Sequence, residues 1–117
     1  MSITTDFQAP QSLDVSAIRG HWGVNRKIFS RLTGYSERSI AEWEKGKSLT
    51  ASSRTKMGEV DRLRRALAGV MDADSIATWI ETPNEGFDGL KPLEVIERGE
   101  VDRIWRMVFY LESGVSS

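Results

Sequence analysis

The chain has 117 residues and a mass of 13.2 kDa, enough for one compact domain or two small lobes. It is 39% apolar and 28% charged with a formal net charge of −1, a composition that supports a buried core and differs from that of a disordered tail. The absence of cysteine excludes disulfides, thiolate zinc sites and thiol nucleophiles, and no apolar run is long enough to span a bilayer.

The small net charge conceals an uneven distribution. From Arg19 to Arg65, twelve Lys and Arg stand against five Asp and Glu, a local charge of +7, whereas the remainder of the chain carries −8. A basic segment favours contact with a polyanion, and an acidic remainder favours a different partner. The alternative is that surface charges cluster here without a function.

Capping residues and glycines predict where the first helix begins and ends. Residues 1–13 show no sustained period and are predicted to form a flexible arm without a secretory signal, so a cytoplasmic location is expected. Asp14 or Ser16 is predicted to cap a short helix that ends at Gly20 and Gly23.

Two further short helices are predicted around a glycine turn. Asn25 suits the N-cap of a helix over 26–33, and Gly34 follows where a helix end requires positive φ. Ser36 then begins a second helix over 37–45. This spacing predicts two helices that pack as a tight pair.

A longer amphipathic helix is predicted over 54–71, after a polar stretch. Its apolar stripe consists of Met57, Val60, Leu63, Leu67 and Val70.

The last third of the chain is predicted to contain three more helices. The first covers 75–81 with Asp74 as its cap, and a loop of about ten residues, TPNEGFDGLKP, follows it. Pro92 suits the first turn of a second helix, which ends at Gly99.

The final helix, over 100–112, carries the apolar stripe Val101, Ile104, Trp105, Val108 and Phe109. Met107, Tyr110 and Leu111 add apolar surface outside that stripe, so the helix is expected to be covered on more than one side.

No segment alternates as a strand does, so the predicted fold class is all-α. The predicted organisation is an N-terminal helical bundle over 14–71 joined to a small C-terminal helical domain over 72–117.

Nothing in the sequence favours an enzyme. His21, the single histidine, lies in a glycine-flanked turn where caps and surface residues are more common than catalytic bases. No glycine-rich phosphate motif occurs, and Asp72 and Asp74 fit a capping cluster better than a metal site. We therefore predict no enzymatic activity, no cofactor and no metal.

The basic segment fits a helix-turn-helix motif, in which a second helix enters the major groove while its inner face packs on its own domain. Ile40 and Trp43 supply that inner face, and Arg38 is placed for a bidentate contact with a guanine edge. The predicted DNA-binding set is Arg26, Lys27, Ser36, Glu37, Arg38, Glu42, Lys45 and Lys47. An ordinary helical hairpin is the alternative, and Glu37 and Glu42 favour it mildly.

The string TGYSERSIAEWEKGKSL resembles the Xre/Cro-type helix-turn-helix, in which a turn glycine precedes the recognition helix and W-E-x-G-K closes it. The resemblance implies a small repressor-like fold. The chain departs from the pattern at RKIFSRL, where many such domains have an Ala-rich first helix.

The segment from Ile76 to Gly114 resembles the toxin-binding domain of the Xre/MbcA/ParS-like antitoxin family. The matching residues are Trp79, Pro83, Asn84, Gly89, Leu90, Pro92, Leu93, Gly99, Val101, Glu112, Ser113 and Gly114. Membership implies an antitoxin that neutralises a cognate RES-domain, NAD-consuming toxin with its C-terminal end at the active-site cleft, and that represses the shared operon by binding operator DNA.

The toxin-binding set that follows from this resemblance is Trp79, Pro83, Asn84, Leu90, Glu112, Ser113, Gly114, Val115, Ser116 and Ser117. Because one helix reads only a half-site, a homodimer or a higher hetero-oligomer with the toxin is expected. A stand-alone transcriptional regulator, whose C-terminal lobe only dimerises or senses a ligand, is the alternative function.

Overall fold

The protein is described by a computed structural model over residues 13–114, in which every regular element is helical. This part of the chain forms seven α-helices and two short 3₁₀ turns, which confirms the predicted all-α fold class. The helices are α1 Val15–Trp22, α2 Arg26–Thr33, α3 Glu37–Glu44, α4 Ala51–Ala68, α5 Ile76–Trp79, α6 Pro92–Glu97 and α7 Val101–Glu112.

The first three helices begin at side-chain caps. Asp14, Asn25 and Ser36 each accept a hydrogen bond from the backbone N–H three residues later, at 2.9–3.0 Å. Gly20, one of the two glycines expected to end α1, instead lies within it, and the helix ends at Gly23.

A glycine in the left-handed region separates α2 from α3. Gly34 has a φ of +82°, and its N–H donates to the carbonyl of Ser30. A residue with a Cβ is strained in this conformation, which is why glycine suits this position. The left-handed glycine ends α2 and sets the path of the chain into α3. Ile40 of α3 is fully buried, whereas Trp43 is half-buried with its ring edge-on to Tyr35 at 5.0 Å.

Helix α4 starts earlier than its sequence pattern predicted. Thr50 caps it by accepting from the N–H of Ser53, so the polar residues 51–53 belong to the first turn of the helix. The helix ends at Ala68, three residues before the predicted end. Four of the five stripe residues are buried as predicted (Met57, Val60, Leu63 and Leu67), whereas Val70 lies beyond the helix and is half-buried.

The segment after α4 differs most from the prediction. Asp74 does not cap a helix, because it lies inside a 3₁₀ turn over Ala73–Ser75 that leads directly into the single turn of α5. The predicted loop contains a second 3₁₀ turn, Glu85–Phe87, whose Phe87 is buried. An aromatic side chain in the core therefore anchors this connection.

The last two helices pack on each other and on the rest of the chain. Pro92 occupies the first position of α6, as predicted, and the N–H of Leu93 donates to the carbonyl of Ile80 at 2.9 Å. Helix α7 buries Ile104 and Val108, but Phe109, a predicted stripe residue, is 72% exposed. A helical repeat gives the direction of a side chain but not whether a neighbouring element reaches it, and the stripe is left uncovered at Phe109.

The buried side chains of all these elements form one apolar cluster, from Val15 in α1 to Val108 in α7. Helix α2 packs on α3, α4 and α6, so residues from both sides of position 71 meet in the same core. The division into 14–71 and 72–117 stays a prediction about folding units.

Candidate functional site: the α3 surface and the flanks of α7

Helix α3 presents a polar, mostly exposed outer side. Glu37, Arg38 and Lys45 are exposed, whereas Ala41 and Glu42 are half-buried. Arg38, which is predicted to contact a guanine edge, has 89% of its side chain exposed. The exposed side of a helix of this length fits a DNA major groove about 12 Å wide.

Glu42 is shared by two of the cations predicted to contact DNA. Its carboxylate lies 3.2 Å from the Nζ of Lys47 and 3.6 Å from the Nε of Arg38. The hydrogen bond from Lys47, followed by the charges of Lys47 and Arg38, holds the pKa of Glu42 below its usual range. Glu42 thus neutralises part of this surface and competes with any anion for both cations.

Two other predicted cations, Lys27 and Lys45, are exposed and make no ion pair or side-chain hydrogen bond with any residue from 13 to 114. Ser36, also predicted to touch DNA, uses its hydroxyl oxygen to cap α3. The two lysines are therefore available to an external polyanion without breaking a contact within the described chain.

Arg26 is held by a carboxylate that the sequence patterns did not single out. The Glu44 side chain is only 4% exposed and receives Arg19 Nε at 2.7 Å and an Arg26 guanidinium nitrogen at 2.7 Å. The hydrogen bond from Arg19 is the main cause that lowers the pKa of Glu44, and it outweighs the opposing effect of burial. This Arg19–Glu44–Arg26 cluster joins α1, α2 and α3.

The sequence offered one usable clue to that cluster. Glu44 belongs to the W-E-K-G-K string at the end of α3, but helical spacing alone does not tell whether its carboxylate faces solvent or a neighbouring helix. The arginine partners lie 25 and 18 residues away along the chain.

The end of α7 forms a second exposed surface of different character. Phe109, Tyr110 and Leu111 are 72%, 52% and 45% exposed, the only large apolar side chains so exposed within residues 13–114. Contiguous exposed apolar side chains on a small protein mark contact sites more often than solvated surface.

One flank of α7, on the side of Tyr110, borders a cleft of about 450 Å³, here called the Tyr110 cleft. Its lining residues are Asn84, Gly86, Phe87, Arg103, Arg106, Met107 and Tyr110. Arg103 lies over the ring of Phe87 at 5.7 Å and pairs with Asp88 and Glu100 at 3.0 Å, so its guanidinium is fixed in place.

The opposite flank borders a cleft of about 380 Å³, here called the Trp105 cleft. Its apolar lining consists of Leu32, Val60, Leu63, Ile96, Val101 and Trp105, and the remaining lining residues are Gly99, Lys56, Glu59 and Arg62. The buried core side of α7, with Ile104 and Val108, separates the two clefts.

The predicted toxin-binding residues are dispersed. Trp79 is half-buried with its ring 6.3 Å from that of Phe87, and Asn84 caps the 3₁₀ turn by accepting from the N–H of Gly86. Pro83 is exposed and Leu90 is half-buried.

Glu112, Ser113 and Gly114 form the exposed end of α7, and Val115, Ser116 and Ser117 lie outside the described residues. Among the members of this set that lie within residues 13–114, only Asn84 lines the Tyr110 cleft.

Residues 13–114 contain no group of three His, Cys, Asp or Glu side chains placed to hold a metal ion. None of the helices described is long and apolar enough to cross a membrane.

Comparison with known proteins identifies antitoxins of similar sequence. No protein-family model matches the chain. The mycobacterial cidal antitoxin MbcA of Mycobacterium bovis is 27% identical over 94 residues, which cover 80% of this chain and 83% of that protein. MbcA from two Mycobacterium tuberculosis strains matches to the same extent. The chain is similar to MbcA antitoxins.

The fold agrees with this similarity. A chain in the crystal structure of the M. tuberculosis MbcT–MbcA toxin–antitoxin complex superposes with a TM-score of 0.70 at 24% sequence identity. The match covers 87% of this chain and 93% of that chain, so the helical arrangement is common to nearly the whole of both.

Proposed function

We propose that the chain is the antitoxin of a type II toxin–antitoxin system, without enzymatic activity of its own. The observation that carries the proposal is the 27% identity to MbcA antitoxins across four-fifths of the chain. The exposed apolar end of α7 supports it, because an antitoxin needs a surface that stays open until its toxin arrives.

The toxin contact is proposed at the Tyr110 cleft and at the end of α7. Tyr110 is half-exposed above the cleft, and Asn84 and Phe87 line it from the opposite element. Residues 112–117 are proposed to block the toxin's active site. The toxin is proposed to be a RES-domain enzyme that consumes NAD, and the acidic C-terminal part complements a cleft built for an anionic cofactor.

DNA binding is proposed as the second activity, with α3 as the recognition helix of a helix-turn-helix. The local charge of +7, the exposed Arg38 and the exposed lysines Lys27 and Lys45 support contact with operator DNA. A homodimer bound to the operator represses transcription of the toxin–antitoxin operon.

Co-expression with the neighbouring open reading frame tests the proposal. We expect the two products to co-purify, the partner alone to deplete cellular NAD and stop growth, and the antitoxin to restore both. A chain that binds duplex DNA but neither captures nor neutralises the neighbouring product contradicts the antitoxin role and supports a stand-alone transcriptional regulator.

A further inference from the structure

The outer side of α3 carries one charge that opposes contact with DNA. Arg38 and Lys47 are exposed cations of this surface, yet the carboxylate of Glu42 contacts both and is itself 40% exposed. A negative group at this place weakens contact with the phosphate backbone, which supplies essentially all of the affinity for DNA of unrelated sequence. Affinity alone therefore does not account for Glu42.

We propose that Glu42 determines sequence specificity: it weakens binding to unrelated DNA, and in the correct sequence it accepts a hydrogen bond from a cytosine amino group. The inference rests on the proposed DNA binding by α3. On unrelated DNA the carboxylate finds no donor in the groove and repels nearby phosphates, whereas a cytosine N4 amino group satisfies it. Specificity is a difference between two affinities, and Glu42 lowers one of them more than the other.

The way in which α3 ends builds the contact between Lys47 and Glu42. Gly46 has a φ of +113°, and the backbone N–H groups of Gly46 and Lys47 donate to the carbonyls of Trp43 and Glu42, both at 3.0 Å. In this Schellman arrangement the chain turns back over the last turn of the helix. Lys47 therefore lies beside Glu42, and its Nζ reaches the carboxylate at 3.2 Å.

The same lysine keeps Glu42 an acceptor. Its hydrogen bond is the main cause that lowers the pKa of the Glu42 carboxyl group, so this group is ionised at neutral pH. An ionised carboxylate only accepts hydrogen bonds, and cytosine is the base that offers a donor without an adjacent acceptor in the major groove.

The contact between Arg38 and Glu42 is easily exchanged for a base. Arg38 precedes Glu42 by four residues, the less favourable order for a helical ion pair, and its Nε lies 3.6 Å from the carboxylate. Ion pairs as exposed as this one contribute little to stability. A guanine edge, which accepts two hydrogen bonds from one guanidinium, can therefore replace Glu42 as the partner of Arg38.

Fluorescence anisotropy titrations of the full chain with two duplexes test the inference. One is the duplex that the wild-type chain enriches from a random pool, and the other is a scrambled version of it. Glu42→Gln is expected to tighten binding to the scrambled duplex by about three- to tenfold, because a repulsive charge is removed. Binding to the enriched duplex is not expected to tighten, because the lost cytosine contact offsets the lost repulsion. The ratio of the two dissociation constants therefore falls.

Two further variants control for charge and for new contacts. Glu59→Gln makes the same change of charge on α4, where the carboxylate is exposed and has no ion pair within residues 13–114. It is expected to change the ratio by less than about twofold, because distant exposed charges are screened by salt. Glu42→Ala, whose side chain cannot donate to a base, is expected to give the same result as Glu42→Gln. Circular dichroism establishes that all three variants are folded.

The enriched sequences provide a second readout. The wild-type chain is expected to select cytosine at one position close to the guanine that Arg38 contacts. Glu42→Ala is expected to accept every base at that position while it still selects the guanine.

An unchanged affinity of Glu42→Gln for the scrambled duplex overturns the inference, and so does an equal gain in affinity for both duplexes. A ratio that Glu59→Gln lowers as much as Glu42→Gln does, or a cytosine preference that survives in Glu42→Ala, overturns it as well. These outcomes leave the proposed DNA binding standing. A wild-type chain that enriches no sequence and binds no duplex contradicts DNA binding by α3, and the inference with it.

Discussion

Arg31 of α2 and Glu97 of α6 form a two-pronged ion pair across 66 residues of sequence. The Nε of Arg31 donates to one carboxylate oxygen and a terminal nitrogen to the other, both at 2.7 Å. The pair joins the helix that precedes α3 to the helix that precedes α7, so it ties the proposed DNA-binding half to the proposed toxin-binding half. The hydrogen bond from Arg31 is the main cause that lowers the pKa of Glu97.

The Arg31–Glu97 pair is expected to align the two halves more than to stabilise them. Both side chains are more than a third exposed, and exposed pairs of this kind contribute at most about 1 kcal/mol. Glu97→Gln is therefore expected to lower the free energy of unfolding, measured in urea, by less than that amount. The effect is expected to diminish at high salt, because screening weakens the pair in the unmodified chain. A loss of several kcal/mol contradicts this assignment.

The buried carboxylate of Glu44 is expected to matter more. Glu44→Gln removes the negative charge that holds Arg19 and Arg26, and we expect a loss of about 1–3 kcal/mol in the free energy of unfolding at pH 7. Glu37→Gln, an exposed carboxylate on the same helix, serves as the matched control and is expected to change stability by less than about 0.5 kcal/mol. Equal losses for the two variants contradict the stabilising role of the cluster.

The same cluster predicts a pH dependence. Because the pKa of Glu44 is lower in the folded chain than in the unfolded chain, the unfolded chain gains its proton first as the pH falls. The contribution of Glu44 is fully present above the ordinary carboxyl pKa of about 4.3 and is lost as the pH falls through the folded value. Urea titrations at a series of pH values are expected to show the difference between wild type and Glu44→Gln shrinking over that acidic range.

Arg38 is expected to read a base, whereas Lys27 contacts a phosphate. Arg38→Ala is expected to weaken operator binding by about 1–3 kcal/mol and to relax the preference at one base pair. Lys27→Ala is expected to weaken binding to all sequences alike and to reduce the slope of log affinity against log salt by about one. Arg98→Ala, an exposed arginine outside this surface, is the control in gel-shift titrations. Unchanged sequence preference in Arg38→Ala contradicts the base contact.

Removal of the C-terminal tail is expected to separate the two activities. A chain that ends at Leu111 loses residues 112–117 but keeps α3 and the buried residues of α7, Ile104 and Val108. Operator binding is expected to persist while growth arrest returns on toxin co-expression. Cells that grow normally with this truncated chain and an active toxin contradict the blocking role of the tail.

Local signals explain why much of the fold was predictable. The caps Asp14, Asn25 and Ser36 reach an N–H only three residues away, and Gly34 acts on its own φ, so each effect is contained in a few neighbouring residues. A local signal was misleading at Asp74, which has a residue type that often caps helices but lies in a 3₁₀ turn.

The candidate site was predictable only in part for the same reason. Periodicity identified Ile40 as the inner residue of α3 and left Arg38 outside. It assigned Phe109 to a buried stripe, because a helical repeat gives the direction of a side chain but not the width of the neighbour that covers it. Phe87, taken as part of a loop, is in the core because distant helices leave room for its ring.

By itself the sequence determined an all-helical chain, the ends of its first helices and a strongly basic first half, since these depend on neighbouring residues and on composition. Only the tertiary structure decided that Glu44 is buried between two arginines, that Arg31 meets Glu97, and that α7 has a cleft on each flank. Contacts between residues far apart along the chain depend on how whole helices pack, and no short pattern of residues encodes that packing.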